Sequence, residues 1–325
     1  MKRNIVRKSG DMRFLSRIVQ FINRSSFQSA HFKPYSFIIP GLLLLICFVW
    51  SCEPGEKKLP VSIPEKGIAP VKSDELILAE GLTYDVMITG LDTIGENSLF
   101  GYDASGLLYV STGKKESALW VNHELMSPML ASGYYGDMAR LRNQITKERQ
   151  GVGTTVLSVF RENNNWNYHT EGLINYRIKG DDAIDMQPAI KGFSKAQGTI
   201  ANGPMIKTSN NTVVTAESGY EAYVGDINYE TGRYQPSVMK WEAFTKGSPY
   251  HYGWIVETDI ATKKSRKLTN IGRISRGGIA IAKRERKQIL YFTDKSVGGC
   301  LYKYVSETSD KLDKGTLYVA SLTTN

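Results

Sequence analysis

From about Leu76 onward, short runs of hydrophobic and β-branched residues recur, each bounded by Gly, Asn, Asp or Lys-rich turns. Examples are Thr83–Ile88, Leu107–Ser111, Ala118–Asn122, Thr155–Phe160, Thr212–Thr215, Trp254–Asp259, Gly278–Ala282, Ile289–Thr293, Leu301–Val305 and Thr316–Ser321. Runs of this length and spacing predict strands rather than helices. Two pairs read as hairpins: Trp254–Asp259 with Ser265–Thr269, and Leu301–Val305 with Thr316–Ser321. The pattern therefore predicts an all-β domain, a sandwich, barrel or propeller, and the repeated strand–turn–strand cadence favours a β-propeller. Residues 138–150 (MARLRNQITKERQ) break the pattern. Their composition predicts a short helix inserted in a loop.

Upstream the pattern is different. Phe37 to Trp50 is an uncharged, apolar stretch, shorter than a bilayer-spanning helix, with a basic segment before it. Ser51-Cys52 and a polar run follow, which resembles a bacterial lipobox with Cys52 as the lipidation site. Trp50 is bulkier than the usual occupant of its position, so an uncleaved signal anchor stays open. Both readings place the rest of the chain outside the cytoplasm, as a membrane-anchored protein of a bacterial cell envelope. Residues 1–52 are thus read as a signal peptide, 53–75, rich in Pro, Gly, Lys and Glu, as a tether, and 76–325 as the functional domain.

Charge adds one exclusion. The formal net charge is +9. Residues 1–36 carry eight Lys and Arg against one Asp, so the excess belongs to the targeting segment. A nearly neutral body offers no footprint for nucleic acid. Cysteine usage agrees with export: after Cys47 and Cys52 only Cys300 remains, which excludes an internal disulfide and a Cys-rich metal site. Cys300 reads as a buried core residue.

Motifs for common chemistries are missing: no G-x-S-x-G, no Walker A loop, no G-x-G-x-x-G after a strand, and no second His to make His123-Glu124 a zincin motif. What remains is a set of carboxylates at predicted strand ends: Asp103, Glu124, Glu217 and Asp294. In a propeller such residues converge on the central channel. Like charges brought together there call for a cation, and hard oxygen donors suit Ca²⁺ or Mg²⁺.

The ordered segments FGYDAS (100–105), LWVNHE (119–124), TVVTAES (212–218), YGWIVETD (252–259), GRISRGGIAIA (272–282), ILYFTD (289–294), LYKYVSE (301–307) and GTLYVASL (315–322) resemble the PhoX-type alkaline phosphatases. The resemblance implies a six-bladed β-propeller, export, and phosphomonoester hydrolysis by several calcium ions beside an iron pair. It assigns Glu124 and Glu217 as metal ligands. The chain also departs from the pattern. Ala216 stands where the family has a Cys ligand, Ser218 where it has a second Glu, and Arg276-Gly277 where it has His-Glu. Calcium is thus the expected metal and iron is not, and Arg276 becomes a candidate anion clamp. The chain stops soon after GTLYVASL, so a shortened propeller is expected. The alternative function is a catalytically degenerate propeller that binds a ligand or partner at the envelope. The expected partners are a small phosphoester and, through Cys52, a membrane; the sequence leaves the oligomeric state open.

Overall fold

The computed structural model describes residues 76–79, 81–112, 117–136, 139–163, 165–243, 248–308 and 310–321. The expected signal peptide, the tether and Cys52 lie outside them. Residues 84–325 form one compact unit. The described residues before it contain no helix or strand.

The unit opens with a small hairpin of β1 (Thr93–Gly95) and β2 (Ser98–Leu99). Three larger sheets follow in chain order. The first runs β3 (Ala104–Ser111), β4 (Ser117–His123), β5 (Gly153–Glu162), β6 (Asn165–Tyr168), with β7 (Tyr176–Ile178) also paired to β5. The second contains β8 (Ala183–Ile190), β9 (Phe193–Gln197), β10 (Asn202–Lys207), β11 (Thr212–Glu217), β14 (Ile255–Asp259) and β15 (Ser265–Leu268) in the order β10-β11-β14-β15-β8-β9. The small ribbon β12 (Asp226–Ile227) and β13 (Tyr234–Gln235) interrupts it. The third is β16 (Arg276–Arg284), β17 (Lys287–Asp294), β18 (Leu301–Ser306) and β19 (Gly315–Val319). Neighbours are antiparallel throughout, except where β15 runs parallel to β8.

Each sheet is a propeller-type blade. Strand β10 lies against β3 on one side and β16 on the other, so these three are the inner strands. The middle blade is buried on both faces because successive side chains of a strand point to opposite sides. Val213 packs with Val110, Trp120, Val156 and Ile184 of the preceding elements. Its neighbour Val214 packs with Leu290, Phe292 and Tyr304 of the third blade. Both residues are fully buried. The described residues thus supply three blades of an all-β propeller fold.

Most predicted strands are present, both hairpins among them. Thr83–Ile88 is not a strand. Its Met87 and Ile88 instead cover the outer face of the first blade, beside Val121 and Leu157. The inserted helix is present as α2 (Arg142–Gly151), preceded by the short α1 (Pro128–Ser132). A four-residue helix α3 (Glu221–Val224) follows β11. Cys300 is exposed rather than buried, because it sits in the turn that closes β17 onto β18. No helix among the described residues is long and apolar enough to cross a membrane.

Candidate active site

Strand ends bring the predicted residues to one side of the blades. Glu124 follows β4, Glu217 ends β11, Asp294 ends β17, and Asp103 precedes β3 in a left-handed conformation, φ 48°. Arg276 begins β16 opposite Asp294. The structure then divides them into two groups.

The first group is closed. The Glu217 and Lys267 side chains are both wholly buried, with Lys267 Nζ 2.6 Å from Glu217 Oε1. Lys267 also donates to the His251 carbonyl at 2.7 Å. Glu217 accepts two backbone N–H groups, Ile200 at Oε1 (3.2 Å) and Trp254 at Oε2 (3.0 Å). Burial pulls the Lys267 ammonium below its ordinary pKa, and Glu217 opposes that pull. Arg276 is also fully buried. Its guanidinium donates to the carbonyls of Gly253, Ile271, Gly272 and Ile274 and lies 4.6 Å from the centroid of the Phe292 ring. Burial lowers its pKa to about 9. As placed, Arg276 is therefore a core cation bound by carbonyls and presents no donor at the surface to clamp an anion. Asp294 belongs to neither group: it is half-buried and accepts from the Ser296 N–H at 2.9 Å, within its own turn.

The second group is open. Lys295, directly after the β17 strand end, reaches Glu124 Oε1 at 2.6 Å and Ser218 Oγ at 3.3 Å. The Lys295 side chain is 49% exposed and that of Glu124 18%. The Glu124 backbone is held on both sides: its N–H donates to Ser105 Oγ at 3.1 Å, and its carbonyl accepts from the Tyr223 hydroxyl at 2.8 Å. Gly203 on β10 makes room for the carboxylate, since a Cβ there would stand 2.8 Å from Glu124 Oε2. Asp103, Ser218, Glu221, Tyr223 and Lys295 share the wall of a cleft of about 510 Å³. Burial, then the charges of Asp103 and Glu124, raise the Tyr223 phenol above its ordinary pKa.

His123, next to Glu124, belongs with the closed group. It is fully buried. Its Nδ1 faces the Tyr102 carbonyl at 2.6 Å and its Nε2 faces Thr155 Oγ1 at 2.7 Å. A carbonyl only accepts, so Nδ1 carries the proton and Nε2 accepts from Thr155. Burial lowers its pKa to about 3, with Arg177 adding to the effect.

Lys295, Glu221 and Tyr223 were not singled out in the sequence, and Ser218 was named only as a departure from the family pattern. Lys295 had a usable signal, a cation placed directly after a strand-end carboxylate. Glu221 and Tyr223 had none, because their place depends on the turn from β11 into α3.

This geometry tests the metals that the resemblance implies. Iron does not fit: Ala216 offers no donor, and Glu217 is wholly buried and already held by an ammonium and two N–H groups. A hard cation suits the oxygen donors here, Asp103 and Glu221 of the cleft wall and Glu124 on Lys295. Among the described residues no three His, Cys, Asp or Glu side chains converge tightly enough to enclose a metal by themselves. Water and ligand oxygens would complete its shell.

No curated protein sequence matches the chain. Among solved structures, it is similar to Pseudomonas fluorescens PhoX in complex with vanadate, a transition state analogue. The TM-score is 0.64 at 22% identity, over 72% of this chain and 51% of that one. The chain thus spans about half the length of that protein, and the likeness concerns the fold. The profile of the family described as alkaline phosphatase PhoX matches residues 64–325. With that match over most of its length, the chain belongs to the PhoX alkaline phosphatase family.

Proposed function

We propose that the protein is an exported, lipid-anchored phosphomonoesterase of the PhoX type, working at the Glu124–Lys295 cleft with a hard divalent cation, calcium by the chemistry of its donors. One observation carries the reading. Two carboxylates, Asp103 and Glu221, line a cleft with one ammonium, Lys295, and a third, Glu124, is paired to that ammonium at 2.6 Å. A phosphate dianion is repelled by that surplus unless a cation enters with it. Bound calcium would supply Lewis-acid polarisation of the phosphoryl oxygen, held by Glu124 and Asp103. Lys295 has the freedom to leave Glu124 Oε1 for a phosphoryl oxygen, because half of its side chain is in solvent. Ser218 Oγ accepts from Lys295 at the same point, which leaves its own O–H to donate, and Tyr223 keeps the Glu124 backbone in place.

A second reading, ligand binding without turnover, is favoured by the closed Glu217–Lys267 pair and by Ala216. Metal analysis of the purified protein, together with p-nitrophenyl phosphate turnover with and without Ca²⁺, separates the two. The phosphatase reading expects calcium-dependent turnover, lost on chelation and lowered about 100-fold or more in Glu124→Gln. Inorganic phosphate binding with no turnover in any divalent cation selects the second reading. A folded protein that neither binds phosphate nor turns over the ester sinks both.

A further inference from the structure

The cleft has two chemical halves. Asp103, Ser218, Glu221 and Lys295 gather the polar groups, and the rest of the wall is mainly apolar, Leu125, Met126, Ala222, Tyr223 and Met239, with Ser127 its one hydroxyl beyond that of Tyr223. Met126 and Tyr223 are almost fully buried members of the core cluster beneath, and Met239 packs against that cluster. The Met239 N–H donates to the Ala222 carbonyl at 2.9 Å, which ties the two parts of the wall together. Leu125 is 63% exposed, an apolar side chain with solvent over most of its surface. The Tyr223 hydroxyl is already used by the Glu124 carbonyl, so Tyr223 offers the cleft no free hydroxyl.

Such a wall discriminates by what it cannot do. A sugar or glycerol group pressed against it would find Ser127 for one hydroxyl and leave the others without partners, at the cost of their hydration. An aryl or alkyl group would bury apolar area against Leu125 and Tyr223, and flexible thioethers adapt to its shape. On the phosphomonoester reading the polar half takes the phosphoryl group, beside Lys295 and with a bound cation offsetting the carboxylates.

We infer that the cleft selects phosphate monoesters with an apolar alcohol part, aryl or short alkyl, over sugar and glycerol phosphates. The inference rests on the phosphomonoester reading above and adds the substrate class. Its test is calorimetric titration of the full chain in the presence of Ca²⁺, with inorganic phosphate, phenyl phosphate and glycerol phosphate in turn. Phenyl phosphate is expected to bind about tenfold tighter than glycerol phosphate, or more. Leu125→Gln, at an exposed position that folding tolerates, is expected to narrow that ratio to about threefold, and Met239→Gln likewise. Equal affinity for the two esters, with inorganic phosphate still bound, overturns the substrate class and leaves the phosphoester reading standing. A preference for phenyl phosphate that neither variant changes also overturns it, because the selectivity then arises elsewhere. Failure of all three compounds to bind overturns both.

Discussion

Two carboxylate–ammonium pairs in this molecule have the same 2.6 Å separation and opposite characters. Glu217–Lys267 is sealed, with no solvent on either side chain. Glu124–Lys295 opens into a cleft, with half of the lysine in water. The sealed pair is held further by backbone groups, Ile200, Trp254 and His251. The open pair has a serine hydroxyl and a cavity beside it. Distance alone does not make a site. What separates them is whether the charges have room to exchange their partner for a ligand, and only the second pair has solvent and a cavity beside it.

Breaking the sealed pair is expected to have the largest effect. Lys267→Met leaves a buried carboxylate without its counter-ion, which costs about 3–5 kcal/mol. In a domain of this size that lowers the unfolding midpoint by about 10 °C, read by thermal melts. The double variant Lys267→Met/Glu217→Gln removes both charges and is expected to recover about half of the loss. A Lys267→Met protein that melts like the parent would mean that the pair is solvated, and the contrast between the two regions would vanish.

The next effect is a pH limb. His123 titrates near 3 in the folded protein against an ordinary 6.5. Between those values the unfolded chain binds a proton that the folded chain refuses, so stability is full above 6.5 and falls as the pH drops towards 3. At about pH 5 the expected loss is about 2 kcal/mol. His251, also lowered by burial, adds to the same limb. His123→Gln can keep a donor for Tyr102 and an acceptor for Thr155 without titrating. Denaturant melts at several pH values should show a flatter acid limb in this variant. An unchanged limb would show that His123 does not titrate out of reach of water.

How much of this was legible in the sequence follows the same division. Strand ends were readable, because alternation and turn residues mark where β4, β11 and β17 stop. Glu124, Glu217 and Asp294 were placed correctly along the chain for that reason. Exposure was not readable. Glu217 and Glu124 look alike in sequence, and what separates them is Lys267, 50 residues from one, and Lys295, 171 residues from the other. Arg276 looked like a free cation beside two glycines, yet four carbonyls from residues 253–274 enclose it. Partners so distant in sequence carry no local pattern. The segment from β8 to β10 was also missed, since AIDMQPAI and NGPMIK lack clean alternation and its strands form only by pairing across the second blade.

The smallest effect on stability, and the one that discriminates most, belongs to Lys295. An ion pair with one partner half in water gains little, because solvent and salt screen it and a long side chain must be held still. Lys295→Met is therefore expected to change the unfolding free energy by under about 1 kcal/mol. The same substitution removes the ammonium that neighbours both Glu124 and Ser218. Inorganic phosphate binding in Ca²⁺ is expected to weaken about tenfold, which corresponds to about 1.4 kcal/mol. If Lys295 only propped up Glu124, the melt would move and the affinity would follow it. If it is the exchangeable cation of the cleft, affinity falls while the melt stays put, and Lys295→Arg recovers part of the binding with the charge. A Lys295→Met protein as unstable as Lys267→Met would make the second pair a structural one too, and the cleft would lose its claim to be the working end of the molecule.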